Sequence, residues 1–499
     1  MGGGIRLYKL GTWSCWIDEL YTLDRALGPW GGDPRQPFLL LTRLSLQLFG
    51  VNAFALRFFP FLFGTLTLLG VYHLARAMFD RRVALLAVFC VTFSPWHIYL
   101  SQFGRAYAIV VFVTVWAALH FFRFLQTYRF VNLVLFLSLF AISFFLHNTA
   151  AFLLVIAVFV LLALSWLGPL KDTADARRMR LTAVLLVGVS LIFVPGFYRF
   201  VLHWHEKQLT SGYWGTTPLV FALKLAYHLT PTVAVAALLG SIQVLRKQTV
   251  KGVFLVCYLL LAPLALAFAS AFRVNVSAKY TSLIIPAFAV AAACFVAHLT
   301  DQRKGKLALV GVLALVLLPS LETDYEYFGP GWGNRDRLRE ALRFINRHVA
   351  KEDLIIPVYL FKDPAEARFY VQGTARLQGI ELDSSRILVP AREEELRDLP
   401  RAWLITIGKT IPPQQPDMYR WLASFTSLVA EFPARRGAQD NSVRVYFYPG
   451  PQNAGPLSEG KAEVLPLMKE QARKGGSRPT ESPSGALSPR EPKKSEPMR

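Results

Sequence analysis

Most of the chain reads as long apolar runs separated by short charged turns. A bilayer core takes about 20 mostly apolar residues per helix, and by that measure about ten runs qualify as spans. They lie near 56–76, 83–101, 106–123, 130–147, 149–168, 181–201, 226–245, 252–272, 280–299 and 306–321. The stretch 218–245 has room for one span plus a surface helix. Residues 37–50 (PFLLLTRLSLQLFG) are too few to cross and carry Arg43, which predicts an interfacial helix.

The pattern changes after residue 322. Between Arg335 and Ala350, Leu338, Leu342, Ile345 and Val349 recur at helical spacing and predict an amphipathic helix. Residues 353–360, 401–410 and 442–450 read as strands, and 418–425 as a helix. These elements predict a small α/β domain over 323–450. Beyond Pro451 the chain is rich in Pro, Gly, Ser, Lys and Glu without periodicity, so 451–499 is expected to be a disordered tail.

Composition agrees with a membrane protein. Of 499 residues, 54% are hydrophobic and 17% charged, against about 25% charged in an average soluble protein. A simple soluble enzyme and a generally disordered chain are excluded. The net charge of +21 points to nucleic acid or to an anionic membrane surface, and its placement decides. Alternate short loops carry Arg76, Arg81 and Arg82; Arg123 and Arg129; Lys171, Arg177, Arg178 and Arg180; Arg246, Lys247 and Lys251; and Arg303, Lys304 and Lys306. The opposite loops carry only Arg105, Lys207, Arg273 and Lys279. By the positive-inside rule the first set is cytoplasmic, and no nucleic-acid partner is expected. The segment before residue 56, the turns at 101–105, 147–148 and 273–279, the loop at 202–217 and the region after 322 then face outward. Residues 1–14 hold no span or signal peptide to carry an outward start across, which favours a start codon assigned too late. Cys15, Cys90, Cys257 and Cys294 show neither zinc spacing nor a disulfide framework.

The fold class expected is a polytopic α-helical membrane protein of about ten spans with a small C-terminal extracytoplasmic α/β domain. Its parts are an outward loop with interfacial helices (1–55), the transmembrane domain (56–322), the α/β domain (323–450) and the tail (451–499).

Candidate chemistry starts at Trp16-Ile17-Asp18-Glu19, where two adjacent carboxylates precede the first span. Such a pair also suits a solvated loop or a helix N-terminus. Downstream come F-x-L-R-x-x-P (Phe54, Leu56, Arg57, Pro60), R-R-V-A-L-L-A at 81–87, S-P-W-H-I-Y-L-S-Q at 94–102 with Arg105 and Tyr107, and K-Y-T-S-L-I-I-P at 279–286. In order and sidedness these pieces resemble glycosyltransferase family 39 and its bacterial relatives among the C-type (GT-C) membrane glycosyltransferases. That group includes protein mannosyltransferases and the lipid A aminoarabinose transferase. The likeness is good from about 5 to 150 and collinear to about 450. In the family a transmembrane helix normally precedes W-x-D-E, in line with a late start.

The resemblance implies an inverting enzyme of the inner cell membrane, its active site facing the periplasm or outside. It would move a hexosyl or pentosyl unit from a polyprenyl-phosphate carrier to a lipid, glycan or protein acceptor. Asp18 matches the family's catalytic Asp, and a carboxylate there can take the acceptor's proton as its hydroxyl attacks the anomeric carbon. Glu19 is expected to position the acceptor or to tune Asp18 by like-charge repulsion. The departing lipid phosphate needs cations. Arg105 and Lys279, at outward span ends, could meet it, with snorkelling to the interface as the alternative. Arg57, Tyr107, His147 and Tyr280 complete the expected substrate- and phosphate-binding set. For the two tyrosines the alternative is an aromatic belt, and for His147 a capping role.

The chain departs from the family at two places. Where relatives carry an acid after Ser-Gln, implicated in holding a metal or substrate, it has Phe103, and the early His-Pro-Pro is Arg35-Gln36-Pro37. Both changes weaken a metal requirement: no cofactor or metal ligand is assigned, and a divalent cation stays an open alternative. His203-Trp204-His205-Glu206, in the longest outer loop, resembles metal spacing, although outer loops commonly carry such residues. Two rival functions remain at this point. One is a transporter or flippase of lipid-linked sugars, for which Lys224 is the clearest intramembrane ionisable residue, whereas the carboxylates cluster outside the spans. The other is a catalytically inactive relative, which Phe103 keeps open.

Overall fold

The computed structural model describes residues 1–29, 36–166, 174–211, 217–272, 274, 276–302, 306–358, 364–389, 399–408, 416–436 and 439–451. The expected disordered tail lies outside them, apart from Pro451. Three helices precede the first span: α1 (Gly2–Leu7), α2 (Ile17–Leu27) and α3 (Gln36–Phe49), the last covering the residues for which an interfacial helix is expected. Helix α4 (Ala53–Met78) starts where the Asn52 side chain accepts from the Ala55 N–H at 2.8 Å. Ser45 Oγ of α3 donates to the Ala55 carbonyl at 2.6 Å, which fixes α3 to the head of α4.

The span expected at 83–101 is broken. Asp80 caps α5 (Arg81–Thr92), and the chain then stops at Ser94-Pro95 and restarts as α6 (Pro95–Ser101), bent by 64°. Proline has no N–H to give and suits a first helical position, and Ser94 Oγ accepts from the His97 N–H at 3.3 Å. Next come α7 (Tyr107–Thr127), α8 (Phe130–Leu146), a 3₁₀ turn at Asn148–Ala151 leading into α9 (Phe152–Trp166), and α10 (Ala174–Ser211). Helix α10 runs on to Ser211, so the loop expected at 202–217 begins as helix. A second break, at Thr230-Pro231, separates α11 (Pro218–Leu229) from α12 (Pro231–Lys247) by 94° and accounts for the extra length at 218–245. Helix α13 (Thr249–Ala271), a 3₁₀ turn at Ala278–Ile284, α14 (Ile285–Gln302) and α15 (Lys306–Phe328) complete the bundle.

The chain is thus a multi-pass membrane protein. Among the described residues six helices are long and apolar enough to cross, or eight if each bent pair counts as one span. This is fewer than expected. Helix α8 has 17 residues, at the short limit for a crossing, and the span expected at 306–321 falls within α15. Small residues let the helices close up: a Cβ at Gly240 of α12 would meet the Ala291 carbonyl oxygen of α14 at 2.0 Å.

The C-terminal part holds α16 (Leu338–His348), β1 (Leu354–Pro357), α17 (Pro364–Leu377), β2 (Ala402–Ile407), α18 (Pro416–Phe425), β3 (Ser427–Phe432), β4 (Arg435–Arg436), β5 (Gln439–Asp440) and β6 (Val443–Tyr448). The main sheet has the order β1-β2-β6-β3, with β1 parallel to β2 and the other pairs antiparallel. Side chains alternate across β2. Trp403 and Ile405 pack toward α16 and α17, while Ala402 and Leu404 pack toward Trp421 and Leu422 of α18. The first of these two cores also takes in Cys15, Leu20, Leu23 and Ala26 from the head and Leu56 from α4. The segment before the first span and the α/β unit therefore share one hydrophobic core.

The turn that joins them after α15 passes through Gly333, whose φ is +67° and whose added Cβ would lie 2.3 Å from the buried Trp13 indole. Gly333→Ala is expected to lower stability by more than about 1 kcal/mol, from backbone strain and the clash together. An unchanged unfolding temperature in detergent would contradict this packing.

Candidate active site

Trp16 is extended and α2 begins at Ile17, which puts Asp18 and Glu19 in the first turn, where acids suit the free backbone N–H groups. Successive helical residues point about 100° apart, so the two neighbouring carboxylates diverge. The side chain of Asp18 is 41% exposed; that of Glu19 is fully buried.

Glu19 Oε1 accepts from Arg57 Nε and from the Gly104 N–H, both at 2.8 Å. Its Oε2 accepts from the Trp16 N–H at 2.9 Å, Arg57 Nη2 at 3.0 Å and Arg335 Nη2 at 3.3 Å. Both guanidiniums are as buried as the acid. Arg57 also donates to the carbonyls of Leu10, Trp13 and Ser14, and Arg335 to those of Gly333 and Gln102. These carbonyls take up the donors that one carboxylate cannot satisfy. Burial pushes the Glu19 pKa up, but the two cations and the Gly104 N–H outweigh it and hold the group at about 2. Glu19 and Arg57 therefore differ from expectation. With no exposed surface and every donor directed inward, neither faces a substrate. They are the buried tie between α2 and α4.

Asp18 faces the other way, toward Lys279 in the 3₁₀ turn at Ala278–Ile284. Lys279 Nζ donates to Asp18 Oδ2 at 3.2 Å. The ammonium lies 5.3 Å from the centre of the Phe103 ring and 5.7 Å from that of Tyr107, within cation–π range. Arg105 Nη1 donates to the Asp18 carbonyl and to Thr22 Oγ1, each at 3.2 Å. The His147 ring sits 4.9 Å from Tyr107 and 5.7 Å from Tyr280. His147 occupies the turn after α8, and its Nδ1 accepts from the Thr149 N–H at 3.3 Å, so the residue does cap the following 3₁₀ turn. Burial, followed by the charges of Arg105 and Lys279, pushes its pKa down to about 3.

The structure thus gathers Asp18, Arg105, Tyr107, His147, Lys279 and Tyr280 around one point, with Phe103 as part of the wall. The Phe103 ring packs against the Lys279 ammonium. Arg335 was not legible as a site residue: it opens an amphipathic segment, and nothing in the pattern pairs it with an acid 316 positions away. Among the described residues no group of three or more His, Cys, Asp or Glu is placed to hold a metal ion. The side chains of His203, Trp204, His205 and Glu206 lie outside the described set, as does Arg35.

Residues 37–174 match the family model described as dolichyl-phosphate-mannose-protein mannosyltransferase. The chain also superposes on solved structures over about nine tenths of its length. ArnT from Cupriavidus metallidurans bound to undecaprenyl phosphate is 13% identical, with 89% of this chain and 96% of that chain covered and a TM-score of 0.52. The same enzyme in the apo state gives 15% identity, coverage of 91% and 97%, and a TM-score of 0.50. No curated protein matches the sequence. The fold is that of the C-type membrane glycosyltransferases. The segment matched by the family model holds Arg57, Phe103, Arg105, Tyr107 and His147.

Removing the Glu19 charge strands two buried guanidiniums, so Glu19→Gln is expected to cost about 3–5 kcal/mol. The folded-state pKa of about 2 lies below the ordinary 4.5, so this stabilisation is full above about pH 4.5 and is lost as pH falls toward 2. Thermal unfolding of both proteins between pH 7 and pH 3 checks this. Equal stability at pH 7 would show that the tie carries no weight.

Proposed function

We propose that this chain is an inverting glycosyltransferase that moves a sugar from a polyprenyl-phosphate carrier to an acceptor at the extracytoplasmic face. The observation that carries the reading is the part-exposed Asp18 carboxylate with Lys279 at 3.2 Å and Arg105 on the adjacent backbone. A base and a pair of cations at one point are what this displacement needs. Asp18 takes the proton of the acceptor hydroxyl as its oxygen forms the new bond to the anomeric carbon. The bond from that carbon to the carrier phosphate breaks, and Arg105 and Lys279 receive the anion that departs. With one base and a single displacement, the anomeric configuration inverts.

Two further points support the reading. The undecaprenyl phosphate bound in the similarly folded ArnT makes a polyprenyl carrier the natural donor class here. The fifteen basic loop residues mark the other side as cytoplasmic by the positive-inside rule, which supports an outward-facing cluster. The acceptor class is a hydroxyl on a lipid, glycan or protein. Tyr107 and Tyr280 line the site beside His147.

The test uses the purified full chain with radiolabelled polyprenyl-phosphate sugars and a membrane extract as acceptor. Wild type is expected to transfer label, and Asp18→Asn to reduce transfer by about 10²–10⁴-fold with an unchanged unfolding temperature. Equal transfer by the variant would remove Asp18 from its role. Lipid scrambling without any transfer would favour a transporter.

A further inference from the structure

His147 has two properties that belong together. It caps the 3₁₀ turn that follows it, and it stands beside the two cations assigned to the carrier phosphate. A backbone N–H can only donate, so the Thr149 N–H at 3.3 Å requires a lone pair on His147 Nδ1. The Thr149 hydroxyl, 2.9 Å from the same nitrogen, then donates to it as well. The cap fixes the tautomer: the neutral ring carries its proton on Nε2. The groups around the ring keep it neutral. Arg105 and Lys279 oppose a further positive charge, and the Tyr107 and Tyr280 rings lie 4.9 and 5.7 Å from the imidazole. Asp18, the nearest acid of the cluster, is paired with Lys279. Among the described residues, no protein group accepts from Nε2.

We propose that His147 is a neutral binding residue that donates one hydrogen bond, from Nε2–H, to an oxygen of the carrier phosphate between Arg105 and Lys279, and takes no part in proton transfer. This rests on the carrier-phosphate reading of the site. It assigns the cap and the ligand contact to opposite nitrogens of one ring. It also leaves Asp18 as the sole base of the cluster, because the imidazole has no lone pair facing the substrate.

Two isosteres separate the nitrogens. Gln places an amide donor where Nε2 stands, and Asn places its polar group where Nδ1 stands. His147→Gln is expected to keep the donor KM within about threefold. His147→Asn is expected to raise it about tenfold to hundredfold with kcat little changed, the loss of one hydrogen bond to a charged group. A residue that only caps gives the reverse order, because Asn is a strong cap and Gln is not; that order overturns the proposal. So does equal, wild-type behaviour of both variants. Loss of kcat in both, with loss of one limb of the pH profile, makes the imidazole a proton carrier and also overturns it.

Binding of undecaprenyl phosphate by the wild-type chain, measured calorimetrically, distinguishes the two levels. No binding overturns the carrier reading and this inference with it; binding together with any of the adverse variant results overturns this inference alone. Independently of how the variants fold, ¹⁵N-histidine spectra of the wild type are expected to show His147 protonated on Nε2 and neutral across about pH 5 to 8, the range in which an ordinary histidine titrates. Its resonance should shift when undecaprenyl phosphate is added. Protonation on Nδ1, or titration in that range, contradicts the proposal.

Discussion

One buried carboxylate holds together the junction between the head of the chain, the first span and the α/β unit. Glu19 joins Arg57 of α4, Arg335 of the segment after α15 and the backbone of Gly104, all without exposed surface. Ions buried this deeply are costly unless each is paired and hydrogen-bonded, and here the carbonyls of five residues complete the set. A neutral group at this position would leave two buried cations without their counter-ion. The head of the chain, the first span and the start of the α/β unit therefore adopt one relative position. The core shared by Leu20, Leu23, Leu342 and Trp403 closes around the same junction.

The chemistry follows from that constraint by helix geometry. Because Glu19 is fixed inward, its neighbour Asp18 must point some 100° away, toward the turn that carries Lys279. Arg105 holds the backbone of the same residue, and Gly104 holds Glu19, so the turn after α6 grips α2 from both sides. The aromatic wall of Phe103, Tyr107 and Tyr280 then sets the surroundings of both Lys279 and His147. What looks in the sequence like a pair of equivalent acids is a division of labour: one acid builds the site and the other lines it.

Much of this was legible beforehand. Long apolar runs place most of the helices, the Leu338/Leu342/Ile345 spacing places α16, and apolar runs place β1, β2 and β6. The motifs also single out Asp18, Arg105, Tyr107, His147, Lys279 and Tyr280, which the structure brings close together. Three things escaped. Helix α17 and strand β3 have mixed patterns that only tertiary packing settles, β3 with a register shift between Leu428 and Ala430. The bend at Ser94-Pro95 sits inside a run whose hydropathy is continuous, so hydropathy alone merges it, whereas the break at Thr230-Pro231 showed only as the extra length of 218–245. The roles of Glu19 and Arg57 depend on Arg335, and a contact across 316 positions leaves no periodicity to read.

The most direct test of the account is a double-mutant cycle between Glu19→Gln and Arg57→Met, read in unfolding free energy and in sugar transfer on the same samples. If the buried tie positions Asp18, the two changes should be strongly non-additive, by about 0.5–3 kcal/mol, and every variant should lose transfer. Additivity within about 0.5 kcal/mol, or full transfer by a variant lacking the tie, would contradict the central claim.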